Sequence, residues 1–165
     1  MEMDYLSSGT HGTIYKHSAY SEMVIKIPSK KISDNGLQYT VINEVHSLLS
    51  LKNNDNIIQL HNIVLDNQII SLYLEKYEED LYNFMKKRHK LDLYQIGKIL
   101  MEDITRGLYI VHTKGWIHCD VKPDNILVKH IDGKYVFCLA DFGSSQIFDV
   151  NMLYYSHISV KGYRP

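Results

Sequence analysis

Cysteine is nearly absent from this chain: there are two, Cys119 and Cys138, with the spacing of neither a disulfide framework nor a metal-ligand set. A small scaffold stapled by disulfides and a cysteine-built zinc site are therefore excluded, and such sparing use suits a reducing compartment. No run approaches the ~18 apolar residues of a membrane span. The opening residues Met1-Glu2-Met3-Asp4-Tyr5 are acidic and lack the apolar core of a secretion signal. The expectation is a soluble intracellular protein, cytoplasmic or nuclear. Neither sign of charge is in excess, with 18 lysines and arginines against 19 aspartates and glutamates. Neutralising nucleic-acid phosphates takes clustered surplus cations, so neither nucleic acid nor membrane is expected as a partner. The one basic run, Lys86-Lys87-Arg88-His89-Lys90, reads as a solvated helix end whose cations face the negative end of the helix dipole. Repeats and low-complexity tracts are missing as well.

What is there is a chain of 165 residues, 45% hydrophobic, enough for one core or two small lobes. Short apolar runs between about 5 and 27, around Gly9 and Gly12, read as strands joined by turns, and Asp34 to Gly36 marks a loop. From about 38 to 52, Val41, Val45, Leu48 and Leu49 recur at helical spacing, and Asn53-Asn54-Asp55-Asn56 stops that helix. Two apolar stretches, 57–65 and 69–74, read as a hairpin turning at Asp66-Asn67. After Tyr77 the pattern becomes helical. Asp92 is a good cap for a long helix whose core face carries Ile96, Ile99, Leu100, Ile104, Leu108 and Val111. A strand-rich part with one helix thus precedes a helical part, divided near residues 76–79, with a cleft between them suited to a ligand.

The chemistry concentrates in His118-Cys119-Asp120-Val121-Lys122-Pro123-Asp124-Asn125 and in Asp141-Phe142-Gly143. A carboxylate, a cation two residues on, an amide and a second carboxylate before a glycine are what phosphoryl transfer needs. One group holds the attacking hydroxyl, a cation neutralises the moving phosphoryl, and oxygens hold a metal on the nucleotide.

The octet resembles the catalytic loop of eukaryotic-type protein kinases, usually H-R-D-L-K-P-E-N, and the triplet matches their D-F-G. Other family elements appear in the family's order. Leu6-Ser7-Ser8-Gly9-Thr10-His11-Gly12-Thr13-Ile14 is similar to the glycine-rich loop, with Ser7 at the usual first glycine. Val24-Ile25-Lys26 follows at the family's distance, and Asn43-Glu44-Val45 stands where a helix glutamate holds the lysine. The resemblance implies an α+β, bilobal protein-kinase-like fold. Residues 1–75 would form the N-lobe, an antiparallel sheet plus one helix. Residues 76–165 would form the hinge and the first part of a helical C-lobe, ending in the activation segment.

It also implies roles. ATP and Mg2+ are the expected cofactors, and a protein is the expected substrate. Leu6, Gly9, Gly12, Ile14, Val24 and Leu127 would enclose the nucleotide, with Glu75 and Tyr77, next to Leu74, bonding the base through their backbone. Lys26, held by Glu44, would contact the phosphates; Asn125 and Asp141 would hold metal; Asp120 and Lys122 would be catalytic. Leu48, Leu60, His118 and Phe142 match the family's stacked apolar spine. Lys122 fits the serine/threonine-directed members.

Two departures stand out. Cys119 replaces the arginine that in relatives pairs with a phosphorylated activation loop, so switching through that salt bridge is not expected, and a regulatory protein partner is the alternative. Val160 stands where threonine is common. Lys161-Gly162-Tyr163-Arg164-Pro165 resembles the stretch leading into the family's A-P-E motif, which implies that further C-lobe helices are not part of this sequence. The leading expectation is an ATP-dependent serine/threonine kinase seen as an incomplete domain. The alternative is a truncated, catalytically silent kinase-like binding module. Retention of Lys26, Asp120, Asn125 and Asp141 favours the enzyme.

Overall fold

The computed structural model describes residues 4–9, 12–29, 38–87 and 93–148. Thr10 and His11, the loop around Asp34, Arg88 to Lys90, the cap expected at Asp92, and the closing stretch with Val160 and Tyr163-Arg164-Pro165 lie outside the described residues.

Strands β1 (Tyr5–Gly9), β2 (Gly12–Lys16) and β3 (Met23–Ile27) precede helix α1 (Tyr39–Ser50), and β4 (Leu60–Asp66) and β5 (Ile69–Glu75) follow it. They form an antiparallel sheet in the order β1-β2-β3-β5-β4. Next come β6 (Glu79–Asp80), α2 (Leu81–Lys87), α3 (Leu93–Thr113), β7 (Trp116–Ile117), β8 (Ile126–Ile131), β9 (Lys134–Leu139) and β10 (Gln146–Ile147). Strands β6, β8 and β9 form a second small sheet, and β10 pairs with β7. The antiparallel sheet with one helix followed by helices is the expected fold class.

Helix α1 buries Val41, Glu44 and Leu48, with Asn43 and Ser47 alongside. Leu49, expected on the core face, is 46% exposed, and Val45 is half-buried. Each helical step turns about 100°, so a stripe centred on 41, 44 and 48 leaves 49 at its edge, facing water. The asparagines end the helix by two devices. Asn53 takes the left-handed conformation at φ 63°, which asparagine tolerates. The Asn54 side chain donates to the carbonyls of Leu51 and Lys52 at 2.7 and 3.0 Å.

The β4–β5 turn is Asn67-Gln68, one residue later than expected, with positive φ at both positions and Asp66 still paired with Ile69. That is the type I′ geometry favoured by two-residue hairpins. Strand β4 also begins at Leu60, not at 57, because residues 56–58 are drawn onto β9. Leu139 N–H donates to Asn56 O, and Ile58 N–H donates to Leu139 O, both at 2.9 Å. A further hairpin, β8–β9, turns at Asp132-Gly133, again with both φ positive. The Asp-Gly pair is its sequence signal.

Among the described residues one apolar cluster joins the sheet to the helical part. Leu48, Leu51, Ile57, Leu72, Phe84, Val111, Phe137, Leu139 and Phe142 are each at most 2% exposed. Phe84 meets Tyr135 and Phe137 edge-on, with ring centroids 5.0 and 5.9 Å apart. On α3, Ile96 and Val111 are buried, while Ile99, Leu100, Ile104 and Leu108 are half-buried against this cluster. Gly107 allows α3 to approach the chain here: a Cβ would stand 2.9 Å from the Asn56 carbonyl oxygen. The core thereby locks sheet and helices into one body and leaves a cavity between them.

Candidate active site

The cavity between the five-stranded sheet and the helical part has a volume of about 710 Å³, within the range of small-molecule sites. Leu6, Gly9, Gly12, Ile14, Val24, Lys26, Glu44, Glu75, Tyr77, Leu127, Lys122, Asn125 and Asp141, dispersed over the chain, all line it. Ile58, Ala140 and Asp80 line it too, although the sequence reading did not single them out. The place of Ala140 directly before Asp141 is a signal that could have found it, whereas Ile58 lies in a stretch with the composition of a strand.

Strands β1 and β2 form the roof. Gly12 sits at φ 149°, and a Cβ there would lie 2.5 Å from the Ile27 carbonyl oxygen. Only glycine fits this close approach. On β3, Val24 and Lys26 face the cavity together, as alternation requires. Lys26 Nζ donates to Glu44 Oε1 of α1 at 2.6 Å and to Asp141 Oδ1 at 3.1 Å. Burial pulls the Lys26 ammonium toward losing its proton, but Glu44 and Asp141 outweigh this and hold its pKa above the ordinary value. The lysine is a fixed, desolvated cation.

Asp120 is 5% exposed. Its Oδ2 accepts hydrogen bonds from Lys122 Nζ at 2.7 Å and from Asn125 Nδ2 at 2.8 Å, while Asn125 Nδ2 also donates to the Asp120 carbonyl at 2.8 Å. Among the described residues Oδ1 accepts no hydrogen bond. Asn125 spends its amide hydrogens on Asp120 and so has its oxygen left for a cation. Among the described residues no group of three or more His, Cys, Asp or Glu is gathered. Two oxygen donors, Asn125 and Asp141, suit a hard cation that takes its other ligands from phosphates and water.

The backbone is strained at two points of this site. Cys119 (φ 65°) and Asp141 (φ 58°) are both left-handed, a conformation costing on the order of 1–3 kcal/mol that persists only where the surroundings impose it. His118 supplies part of that frame. Burial pushes its pKa down, keeping it neutral. Its Nδ1 accepts the Asp120 N–H at 3.3 Å, which assigns the proton to Nε2, 3.0 Å from the Ala140 carbonyl. The His118 and Phe142 rings lie 4.5 Å apart, and Leu48, Leu60, His118 and Phe142 are all at most 4% exposed. The Cys119 thiol is half-buried, 3.5 Å from the Ile117 carbonyl, and burial raises its pKa.

A sheet with one helix above, helices below, and a lysine bridging a helix glutamate and an aspartate before Phe-Gly define a protein kinase domain. The family model for the protein kinase domain matches residues 2–165, and the chain belongs to that family. It is 30% identical over 164 residues to the serine/threonine-protein kinase MAK of Mus musculus and of Homo sapiens, covering 98% of this chain and 26% of each relative. Against the cell division control protein 2 homolog 2 of Trypanosoma brucei brucei it is 29% identical over 158 residues, 93% of this chain and 45% of the relative. The chain thus spans less than half the length of these relatives. The family works with ATP and a divalent metal and acts on proteins. Among the described residues no helix is long and apolar enough to cross a membrane.

Proposed function

We propose that the protein to which this chain belongs transfers the γ-phosphoryl group of ATP to serine or threonine hydroxyls of other proteins. Residues 1–75 serve as its N-lobe, and 76–165 as hinge and first part of its C-lobe. The observation that carries the reading is Lys26 Nζ bonded at once to Glu44 and Asp141, on the same cavity as Lys122 and Asn125.

In this reading Lys26 positions the α- and β-phosphates, and Glu44 keeps it aimed. Asn125 and Asp141 would hold Mg2+, which when bound neutralises charge on the phosphates. Oδ1 of Asp120 takes the hydrogen bond, then the proton, of the acceptor hydroxyl. Lys122, anchored on Oδ2, turns its charge toward the transferred group. Ile14, Val24 and Leu127 clasp the base, and the backbone at Glu75 and Tyr77 bonds its edge. The two unpaired cysteines suit an intracellular setting, which is where we place the substrates.

The test is phosphoamino-acid analysis of a generic basic protein labelled by the full-length enzyme. Phosphoserine and phosphothreonine are expected. Predominant phosphotyrosine overturns the role given to Lys122, and nucleotide binding without any transfer supports the silent binding module instead.

Regulation follows from Cys119. A phosphate of roughly −1.5 to −2 charges orders a loop only where a cation meets it, and a neutral thiol offers none. We therefore propose that the enzyme is active without activation-segment phosphorylation, or is controlled by a partner protein. Phosphatase treatment is expected to leave the rate within about twofold. A large loss, restored by rephosphorylation, shows that another cation reads the phosphate.

A further inference from the structure

Behind the segment that joins the two halves lies a second hollow of about 880 Å³. Glu75 and Tyr77 line both it and the nucleotide cavity, whereas Lys129 lines the rear hollow alone. The backbone on either side of Tyr77 is stitched down by main-chain hydrogen bonds. Glu75 N–H donates to Gln59 O at 3.0 Å, Lys76 N–H to Glu22 O at 2.9 Å, and Glu78 N–H to Val128 O at 3.1 Å. Between these stitches the side chains take over. Lys129 Nζ of β8 pairs with Glu75 Oε1 and sits 4.6 Å from the centre of the Tyr77 ring. The Tyr77 hydroxyl reaches Glu75 Oε2 at 3.5 Å. Burial, with Cys138 and Glu75 nearby, keeps the Tyr77 phenol protonated and so able to donate.

From this geometry we infer that Lys129 is a positioning residue for the nucleotide: by gripping Glu75 and Tyr77 from behind, it sets where their backbone groups meet the base. The inference rests on the kinase reading for the base's location, but its measurement does not depend on turnover. The grip is strong for its size. A charge-assisted hydrogen bond and a cation–π contact act from one ammonium, both partly buried, with Lys129 and Glu75 side chains 22% and 24% exposed. The distance from the chemistry is also telling. Lys129 lies outside the cavity that holds Lys26, Asn125 and Asp141, so its loss should touch affinity before it touches the transfer step.

The experiment uses the full-length protein with K129M, K129R and E75Q, reading both ATP KM with kcat and the affinity for a fluorescent ADP analogue. For K129M, KM and the ADP dissociation constant are expected to rise roughly five- to tenfold, the worth of about one hydrogen bond, with kcat within about twofold. K129R should restore most of the affinity, because a guanidinium both pairs with a carboxylate and stacks on a ring. The double variant E75Q with K129M should bind no worse than K129M alone. Unchanged affinity in K129M overturns the inference. So does a fall in kcat and melting temperature together that K129R fails to rescue, since that marks a general structural role. If K129M does not fold, E75Q and K129R read the same contact. If the wild-type enzyme transfers no phosphate, the kinase reading falls, while ADP affinity still decides the role of Lys129.

Discussion

Asp120→Asn in the full-length enzyme is expected to lower kcat by roughly a thousandfold while the ATP KM changes by less than about threefold. The two numbers separate because, in the proposed function, Asp120 acts on the attacking hydroxyl and not on the nucleotide. Its Oδ2 is already held by Lys122 Nζ and Asn125 Nδ2, both donors. An asparagine has one oxygen to offer. If that oxygen satisfies the two donors, the amide nitrogen faces the substrate hydroxyl, and the acceptor is gone. If it turns the other way, an N–H group confronts an ammonium and an amide across a site that is 5% exposed, which buried donors do not tolerate. Steady-state kinetics with varied ATP and protein substrate check this. A kcat within tenfold of wild type removes Asp120 from the chemistry.

Asp141→Asn is expected to abolish the magnesium dependence of nucleotide binding and to lower turnover by at least about a thousandfold. Asp141 carries two loads. Its carboxylate is, with the Asn125 side chain, one of the two proposed metal donors on the cavity, and Oδ1 also receives Lys26 Nζ at 3.1 Å. Removing its charge takes away most of the cation's attraction and leaves Lys26 with Glu44 alone. Titrating a fluorescent ATP analogue with and without magnesium measures it. Wild type should bind more tightly with the metal, by roughly tenfold or more, and the variant should bind alike in both. A variant that keeps the full magnesium effect shows that the metal is held elsewhere.

Both predictions concern residues that declare themselves in the sequence, and the reason is physical. Asp120, Lys122 and Asn125 lie within one turn of chain, where the spacing alone brings their polar groups together, and Asp141 announces itself by its Phe-Gly neighbours. The strand alternation that brings Val24 and Lys26 to one face is equally local. So is the end of α1, because Asn53 turns the chain by its own left-handed backbone and Asn54 acts on carbonyls only two or three residues away. Chain order and local chemistry thus carried the fold class and most of the residues that line one cavity; Asp120, expected with them, lies beside Lys122 and Asn125 but does not itself line it.

Only the tertiary structure decided what depends on a distant partner. Leu49 satisfies the helical period yet faces water, since the width of a buried stripe is set by what packs on it. Residues 57 and 58 have strand composition but leave the hairpin, because Leu139 of β9 takes the backbone on either side of Ile57, bonding the Asn56 carbonyl and the Ile58 N–H, both at 2.9 Å. Gly107 carries no signal of its own, and its reason appears only when Asn56 arrives beside it. Lys129 is the clearest case. In sequence it is an ordinary charged residue of a strand, 54 positions from Glu75. Side-chain pairing across that distance is fixed by sheet register and core packing, which no local pattern encodes.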